Sequence, residues 1–370
     1  MSENMELERL QKYIKIKKLA TKLSPSGREA ALITSEANLR YFLDFNNSEG
    51  ALFICREKAF FLVDPRYGEA AQRSVTNTEI LVYTNYYESL AQLVEHYDIR
   101  NLIIESSKMT VHTMRQLEKH IFDAGCKVMG NERLDKLIST QRIIKTKSEI
   151  EKIRTAQKIA EESFLELLND VKPGVTEAQL AFDLEYIMRK KGASGVSFDL
   201  ITIAGKNTSM PHGVPGDYAI QNGDFVTFDI GAIYDSYHSD MTRTIAVGNI
   251  SDKQREIYEI VLKAQQTAMA KVRAGIKAYE VDRTARSVIG RAGYSEYFSH
   301  STGHGVGLDI HEEPFISTRS ETLLSEGMVI TIEPGIYIPG EFGVRIEDMA
   351  VVTKNGCESL ATITKELIEL

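Results

Sequence analysis

The pattern Gly-x-x-x-Thr-x-acid occurs twice in this sequence, as Gly223-Asp-Phe-Val-Thr-Phe-Asp229 and, 104 residues later, as Gly327-Met-Val-Ile-Thr-Ile-Glu333. Both stretches alternate apolar and polar side chains with the period of two that is typical of a half-buried β-strand. Two predicted helices precede each stretch, over about 148–192 and 251–293. Because the whole order of elements recurs, the sequence predicts a duplicated, pseudo-symmetric α+β domain.

Capping signals predict where these helices begin. Ser148 with Glu151 and Ser251 with Gln254 have the spacing of a capping box, and Thr176 is predicted to cap the second helix of the first half. Further along the chain, the acid-rich stretch 365–370 is expected to be a solvated helix end.

The first 140 residues or so have a different pattern, in which short apolar runs alternate with amphipathic helices. We predict an α/β N-terminal domain over 1–143, followed by the duplicated α+β domain over 144–370. The histidines of the first domain stand singly on helix patterns, so no site is expected there. Its predicted strands are Ala31–Thr34, Ala51–Cys55, Ala59–Val63, Ile80–Tyr83 and Leu102–Ile104.

Composition excludes several classes of function. The 370 residues carry a formal charge of -8, so no basic surplus exists to bind nucleic acid. The three cysteines, Cys55, Cys126 and Cys357, form no CxxC pair, which argues against disulfides and a thiolate zinc site and favours a reducing compartment. Because Met1–Arg9 is charged and no long apolar run occurs, neither export nor membrane insertion is expected. We therefore predict a cytoplasmic protein.

The acids in and near the repeated strands are the candidate site. A hairpin would place Asp229 beside Asp240, and the second half repeats the arrangement with Glu333 and Glu347. Four converging carboxylates would raise one another's pKa unless nearby cations neutralised their charge. His304, flanked by glycines, is the candidate imidazole ligand, and an oxygen-rich ligand set suits Mn²⁺ or a similar divalent ion.

These motifs, taken together and in order, resemble the pita-bread metallopeptidases, and among them the Xaa-Pro aminopeptidases and Xaa-Pro dipeptidases (prolidases). The N-terminal half resembles the creatinase-like domain more loosely, through Arg40–Phe45, Ser48–Gly50 and Val63–Tyr67. The motifs of the catalytic half are Pro211–Gly213, Phe228–Gly231, Ser239–Thr244, Gly303–Gly307, His311–Pro314, Ile332–Gly335 and Gly343–Asp348.

The resemblance implies two divalent metal ions, Mn²⁺ in the first place and Co²⁺ or Zn²⁺ as alternatives. Asp229 would chelate one ion, Asp240 and Glu347 would bridge both, and His304 with Glu333 would complete the second ion's ligands. The ions would lower the pKa of a shared water and polarise the scissile carbonyl.

Four residues are implied to act directly in catalysis. Glu333 is the candidate general base and proton shuttle. His212 and His311 resemble the family's two non-ligand histidines, which would hydrogen-bond the tetrahedral intermediate and help orient or protonate the leaving imide nitrogen. Arg345 resembles a family arginine near the site and is expected to anchor a carboxylate or hold Glu347; the alternative is a plain structural ion pair. His238 and His300 match no ligand position, so supporting roles are expected for them.

The resulting prediction is a metallo-aminopeptidase that removes the residue before proline from a peptide. The alternative within the same fold is an Xaa-Pro dipeptidase, and the sequence leaves that choice open, together with the physiological metal and the residue preferred before proline. Two other readings are a non-catalytic peptide-binding relative and metal-free creatinase-like hydrolysis; the complete set of five ligand candidates argues against both. The resemblance also implies a homodimer.

Overall fold

The computed structural model describes residues 13–45 and 49–370. The predictions that concern Met1–Arg9 and Ser48 lie outside these residues. The chain divides into two compact units, Met1–Arg142 and Ile143–Leu370. None of the helices in the described part of the chain is both long and apolar enough to cross a bilayer.

Unit 1 is an α/β unit, as predicted, and its strands form one six-stranded sheet in the order β4-β3-β2-β1-β5-β6. Strand β2 pairs in antiparallel fashion with both β1 and β3. The other three pairings are parallel: β4 with β3, β5 with β1, and β6 with β5. The elements are α1 (13–20), β1 (Glu29–Ile33), α2 (Glu36–Leu43), β2 (Ala51–Ile54), β3 (Ala59–Val63), α3 (Pro65–Ser74), β4 (Glu79–Val82), α4 (Tyr86–His96), β5 (Asn101–Ile104), α5 (Val111–Ile121), β6 (Lys127–Met129) and α6 (Arg133–Arg142).

The core of unit 1 lies between one face of this sheet and helices α4 and α5. Alternate strand residues such as Leu32, Phe53 and Leu62 pack against Leu90 and Leu117, and all five are fully buried. The five predicted strands are confirmed to within two residues at each end, and the apolar runs of all but β4 are buried segments of the sheet.

Unit 2 contains two helix pairs, each followed by a group of strands. Its elements are α7 (Lys147–Leu167), α8 (Glu177–Lys190), β7 (Gly195–Val196), β8 (Ile201–Ala204), β9 (Asp224–Ile230), β10 (Ala232–Tyr234), β11 (Tyr237–His238), β12 (Met241–Val247), α9 (Asp252–Lys271), α10 (Ala278–Arg291), β13 (Gly303–Gly305), β14 (Glu312–Ile316), β15 (Val329–Ile332), β16 (Gly335–Ile338), β17 (Phe342–Arg345), β18 (Asp348–Val352) and β19 (Cys357–Ser359).

The two halves of unit 2 match closely, which confirms the pseudo-symmetric α+β prediction. The helix pairs have 21 and 14 residues in the first half and 20 and 14 in the second. The motif glycines Gly223 and Gly327 both enter their strands in the left-handed region, with φ of 92° and 87°. Glycine adopts this conformation without the strain that a Cβ would introduce, so both halves need it at the same place.

The strands of unit 2 form small antiparallel sheets on which the helix pairs pack. The larger two have the orders β12-β9-β8 and β14-β13-β15-β18-β19. The buried face of α7 and α8 packs on β9 and β12, and the ring of Phe164 lies edge-on to that of Phe228 with centroids 5.3 Å apart. Helices α9 and α10 pack in the same way on the second half.

Two local predictions need correction. The capping box of α7 is formed by Thr146 and Glu149, two residues before the predicted Ser148, whereas Ser251 and Thr176 cap their helices as predicted. Both candidate spacings occur in this lysine- and threonine-rich stretch, and the backbone is extended at Thr146, with φ of -71° and ψ of 164°, so the helix begins after this residue.

The segment 365–370 is not a helix end. It is extended and bonded to β12, with the Ala246 N–H donating to Ile368 O at 2.9 Å and the Leu370 N–H to Ala246 O at 3.0 Å. Because β12 lies at the edge of its sheet, its backbone offers these partners, which outweigh the helix propensity of the acidic residues.

Candidate active site

A cavity of about 640 Å³ in unit 2 contains the predicted site. Apolar side chains, including Phe198, Ile201, Val214 and Phe315, form part of its wall. Every site residue that the sequence predicts lies on this cavity: His212, Asp229, Asp240, His304, His311, Glu333, Arg345 and Glu347.

Strand pairing brings the first two acids to this cavity. Asp229 lies near the end of β9, opposite Thr242 of β12, and Asp240 immediately precedes β12. The chain between them turns at Asp235 and Ser236, both with positive φ.

In the second half, strand pairing likewise brings two acids to the cavity. Glu333 immediately follows β15 and Glu347 immediately precedes β18. Because Ile332 pairs with Asp348 in the antiparallel register, the two glutamates leave the same end of the strand pair. Equivalent strand ends therefore carry an acid pair in each half.

The two acid pairs meet around one imidazole. His304 Nε2 lies 3.5 Å from Asp240 Oδ2 and 3.5 Å from Glu333 Oε1. One ligand atom from each of Asp240, His304 and Glu347 lies within 4.8 Å of the other two, and all three residues are buried. Side chains more than a hundred positions apart in sequence thus form one compact cluster.

The hydrogen bonding of His304 fixes which ring nitrogen faces the carboxylates. Its Nδ1 lies 3.0 Å from the carbonyl oxygen of Gly305, so Nδ1–H donates there. In the neutral ring, Nε2 then presents a lone pair toward Asp240 and Glu333. Burial also lowers the pKa of His304, which favours this neutral form. A lone pair facing two carboxylates is the arrangement of a metal ligand whose other nitrogen is held by the backbone.

Burial is also the main cause that raises the pKa of the acids. It raises the pKa of Asp240 well above its ordinary value, and Glu347 and Asp229 add to the effect. Burial and then Glu333 raise the pKa of Glu347, and burial raises the pKa of Glu333 to about 7. The ionised acids of this cluster would carry more negative charge than the neighbouring protein groups balance.

Two orphaned oxygen atoms show that these residues fit divalent metal ions. Asp229 Oδ1 and Glu347 Oε1 are buried and have no hydrogen-bond partner among the described residues. A buried carboxylate oxygen without a partner is costly, and a cation removes that cost. Four carboxylates and one imidazole are also a donor set that suits hard or borderline divalent ions.

The guanidinium group of Arg345 is held on several sides. Its Nη2 donates to Asp229 Oδ2 at 2.6 Å and its Nε to Thr242 Oγ1 at 3.1 Å. Its Nη1 donates to Tyr337 Oη at 2.8 Å and to Pro211 O at 3.2 Å. The guanidinium thus forms an ion pair with Asp229 rather than with Glu347, which agrees with the structural alternative stated for Arg345.

Tyr337 extends this network to His300, which also lines the cavity. His300 Nδ1–H donates to Ser301 O at 2.8 Å, so its Nε2 accepts the Tyr337 hydroxyl hydrogen at 2.9 Å. Burial, followed by the charge of Arg345, lowers the pKa of His300 to about 4, so the ring is neutral. Sequence reasoning did not find Tyr337, whose only signal is its place in the hairpin that carries Arg345.

The two predicted non-ligand histidines lie on exposed parts of the cavity wall. The ring of His311 contacts the ring of His304 edge-on, with centroids 4.4 Å apart. Burial and the neighbouring His304 lower the pKa of His311. His212 lies in the loop that follows the 3₁₀ turn Gly205–Ser209.

A buried glutamate holds the loop of His212. Glu177 accepts the N–H of Ala204 at 2.7 Å, the side-chain amide of Asn207 at 2.9 Å and the N–H of Gly216 at 3.0 Å. It therefore joins both ends of the loop to the start of α8. His238 does not line the cavity, and its backbone N–H donates to Gly307 O at 2.9 Å.

Comparison with known families decides the assignment. Residues 151–354 match Metallopeptidase family M24, and residues 15–156 match the Creatinase/Prolidase N-terminal domain. The chain belongs to metallopeptidase family M24. It is therefore a peptidase of the hydrolase class, and membership implies a divalent metal, which the orphaned carboxylate oxygens independently fit.

Several relatives of this M24 chain have names or solved structures. An Xaa-Pro dipeptidase of Pyrococcus horikoshii is 38% identical over 96% of this chain and 98% of its own length. The structure of an Xaa-Pro dipeptidase from Bacillus anthracis is 40% identical, with a TM-score of 0.91 over 98% of this chain and all of that one. The structure of an X-Pro aminopeptidase from Thermotoga maritima is 35% identical, with a TM-score of 0.86 over 93% of this chain and 98% of that one.

Two threonines of the M24 unit orient the glutamates. Thr242 Oγ1 donates to Glu347 Oε2 at 2.7 Å. Thr331 Oγ1 donates to Glu333 Oε1 at 3.2 Å and accepts the N–H of His304 at 3.0 Å. Sequence reasoning assigned neither role, although Thr331 is the conspicuous threonine of the repeated Gly-x-x-x-Thr-x-acid pattern.

Proposed function

We propose that this M24 peptidase is an Xaa-Pro dipeptidase. The sequence left this choice open as the alternative to the aminopeptidase, and we now prefer it. The Pyrococcus horikoshii relative and the Bacillus anthracis structure both carry the name Xaa-Pro dipeptidase. The Thermotoga maritima structure, named X-Pro aminopeptidase, is somewhat less similar. The observation that carries peptidase function is the convergence of five ligand candidates and two histidines on one cavity.

Asp229, Asp240, His304, Glu333 and Glu347 would hold two divalent ions, with Mn²⁺ as our first choice. When bound, such ions supply Lewis-acid polarisation of the scissile carbonyl and acidify the attacking water. The oxygen-rich donor set and the lone-pair orientation of His304 support this assignment.

Glu333 is the proposed general base. Thr331 occupies its Oε1, which leaves Oε2 to take the proton of the attacking water. A proton held there can then pass to the leaving imide nitrogen of proline, which has no hydrogen of its own in the peptide. Thr331 keeps the carboxylate in one rotamer through this cycle.

His212 and His311 are proposed to donate hydrogen bonds to the carbonyl oxygen as negative charge develops on it. Their exposed places on the cavity wall leave their ring nitrogens accessible to substrate. Arg345 acts through Asp229, whose Oδ2 it holds, so that the partnerless Oδ1 remains directed to its ligand role.

The proposal is tested by cleavage of Ala-Pro, Ala-Pro-Ala and Ala-Ala after metal removal and reloading with Mn²⁺. We expect cleavage of Ala-Pro, no cleavage of Ala-Ala, and at least about tenfold lower kcat/KM for the tripeptide, a difference of ~1.4 kcal/mol. Preferred cleavage of Ala-Pro-Ala would restore the aminopeptidase assignment. Retained peptide binding without turnover would instead support a non-catalytic relative, and the Asp240→Ala variant controls for a contaminating peptidase.

We further propose that catalysis is confined to 144–370, that the protein is cytoplasmic and that it is a homodimer. The free cysteines Cys55, Cys126 and Cys357 support a reducing compartment. The likeness of residues 15–156 to the creatinase-type domain supports the dimer. Light scattering coupled to gel filtration tests it, and a monomeric mass would contradict it.

A further inference from the structure

Arg243 is one of the largest fully buried side chains of unit 2, and all five of its N–H donors are used. Its Nη1 donates to Thr242 O at 2.9 Å and to Glu347 O at 2.6 Å. Its Nη2 donates to Asp348 Oδ1 at 2.8 Å and to Ile363 O at 3.3 Å, and its Nε to Thr364 O at 2.9 Å. One guanidinium thus joins three separate parts of the chain.

Two of these parts carry the candidate metal ligands. Arg243 belongs to β12, which begins immediately after Asp240 in the first half of the unit. Asp348 opens β18 and immediately follows Glu347 in the second half. The halves also touch directly, because the Glu347 N–H donates to Thr242 O at 3.1 Å. Arg243 therefore lies at the contact between the two halves, beside the residues that carry their acids.

The third part is the segment 359–370. Lys365 Nζ forms an ion pair with Asp348 Oδ2, which places Asp348 between two cations. Thr362 donates through its N–H at 2.8 Å and its hydroxyl at 2.5 Å to the buried Glu161 of α7. The segment is thereby bonded to a helix of the first half and to a strand of the second.

We propose that Arg243, Asp348 and segment 359–370 are positioning residues that keep Asp240 and Glu347 at metal-binding spacing. Repulsion between the carboxylates of Asp240 and Glu347 favours separation of the two halves at this point. Arg243, Asp348 and segment 359–370 oppose it through the hydrogen bonds and ion pairs that join the halves. The inference rests on the metal binding proposed above. It adds that a segment with no ligand of its own governs how tightly the metal is held.

The physical reason is that Arg243 cannot be replaced by another cation without loss. Lysine keeps the charge, but its three donors cannot reach all five acceptors. Removing one member of a buried ion pair leaves the other uncompensated, and the backbone carbonyl of Glu347 would lose its partner. Partners that orient metal ligands from outside typically change metal affinity about 10–100-fold.

The test compares Co²⁺ binding by the full chain with that of Arg243→Lys and Lys365→Met, by competition with a chelator. The matched control is Lys354→Met, a lysine on the exposed turn before β19. We expect about a tenfold weaker Co²⁺ affinity for Arg243→Lys, a smaller loss for Lys365→Met, and none for Lys354→Met. The visible absorption of bound Co²⁺ should change in the first two variants only, since it reports ligand geometry.

The melting temperature of each metal-free variant separates positioning from simple stability. A lower melting temperature with unchanged Co²⁺ affinity and absorption would overturn the inference. Should Arg243→Lys not fold, Lys365→Met decides by the same criterion. If the unaltered chain binds no Co²⁺, the proposed function itself fails; if it binds Co²⁺ and the variants bind equally well, only the present inference fails.

Discussion

At the scale of single residues, the site depends on which atom of each side chain is already occupied. Arg345 holds one oxygen of Asp229, Thr242 one oxygen of Glu347, and Thr331 one oxygen of Glu333. Each of these three carboxylates therefore has one oxygen fixed by the protein. The remaining oxygen is directed without the loss of rotamer freedom that binding would otherwise require.

We predict that Tyr337→Phe lowers kcat/KM about tenfold or more, because hydrogen bonds to charged groups contribute about 1.5–3 kcal/mol. The change removes the hydroxyl that joins Arg345 to His300 while leaving the ring in place. Steady-state kinetics of the Mn²⁺-loaded variant measure the effect. Tyr186→Phe, at an exposed tyrosine 62% accessible to solvent, is the control, and equal activity of the two variants would contradict the role.

A second residue-level prediction concerns stability. Gln265 is fully buried in α9, and neither atom of its side-chain amide has a hydrogen-bond partner among the described residues. An unsatisfied buried polar group is destabilising, so Gln265→Met should raise the free energy of unfolding by about 1 kcal/mol. Urea denaturation measures the change. The adjacent exposed Gln266→Met should have almost no effect, and a destabilised Gln265→Met variant would show that the amide has a partner such as a buried water.

At the scale of elements, strand ends and helix starts do the positioning. Each acid lies at or beside the end of a strand, where pairing fixes the backbone but leaves the side chain free to face the cavity. Glu177, at the first residue of α8, fixes the loop of His212 through two backbone N–H groups and one side-chain amide. Helix α8 thus contributes to the site through its first residue.

The corrected capping box gives a prediction at this scale. Thr146→Ala removes the hydroxyl that accepts the Glu149 N–H at 3.3 Å and so should destabilise unit 2 by about 1 kcal/mol. Ser148→Ala, at the residue that the sequence pattern favours, should be neutral because it lies inside the helix. Thermal melting of both variants measures the difference, and the opposite order would restore the Ser148 assignment.

At the scale of the whole molecule, duplication makes an electrostatically costly site possible. Each half alone would carry one acid pair at a strand end. Only their association places Asp240, Glu333 and Glu347 around His304, where burial raises the pKa of all three acids. Metal binding should accordingly contribute a large part of the stability of the loaded protein.

This charge distribution predicts a pH-dependent response to metal. Acids whose folded pKa is raised bind more protons in the folded than in the unfolded state, so their stabilising effect on the metal-free protein grows as pH falls. For Glu333 the window lies below pH about 7, its folded pKa. Protons and metal compete for the same oxygens, so the rise in melting temperature on adding Mn²⁺ should shrink between pH 7.5 and about 5.5.

The variant Asp240→Asn is the control for the pH-dependent effect of Mn²⁺ on the melting temperature. Removing one buried charge should raise the melting temperature of the metal-free protein and abolish most of the increase that Mn²⁺ causes. A pH-independent Mn²⁺ effect in the unaltered protein, or a metal-free Asp240→Asn variant that melts lower, would contradict the electrostatic account.

Most of the fold was predictable because its signals are local. The strands of unit 1 and the helix pairs of unit 2 follow from apolar periods of 2 and 3.6 residues, which the chain carries whatever its tertiary context. The mistakes arose where two local options compete, as at Thr146 and Ser148, or where a distant partner decides, as for 365–370 on the edge of β12.

The sequence by itself determined the duplicated unit and its two acid pairs, since repeated motifs and their spacing are read directly from the chain. His212, His311 and Arg345 entered only through the resemblance to a known family. Only the tertiary structure decided which atoms meet: Arg345 with Asp229, Thr242 with Glu347, and Arg243 with segment 359–370. These partners lie more than a hundred residues apart. Their contact depends on strand register and side-chain direction across two halves of a fold, and no local pattern records either.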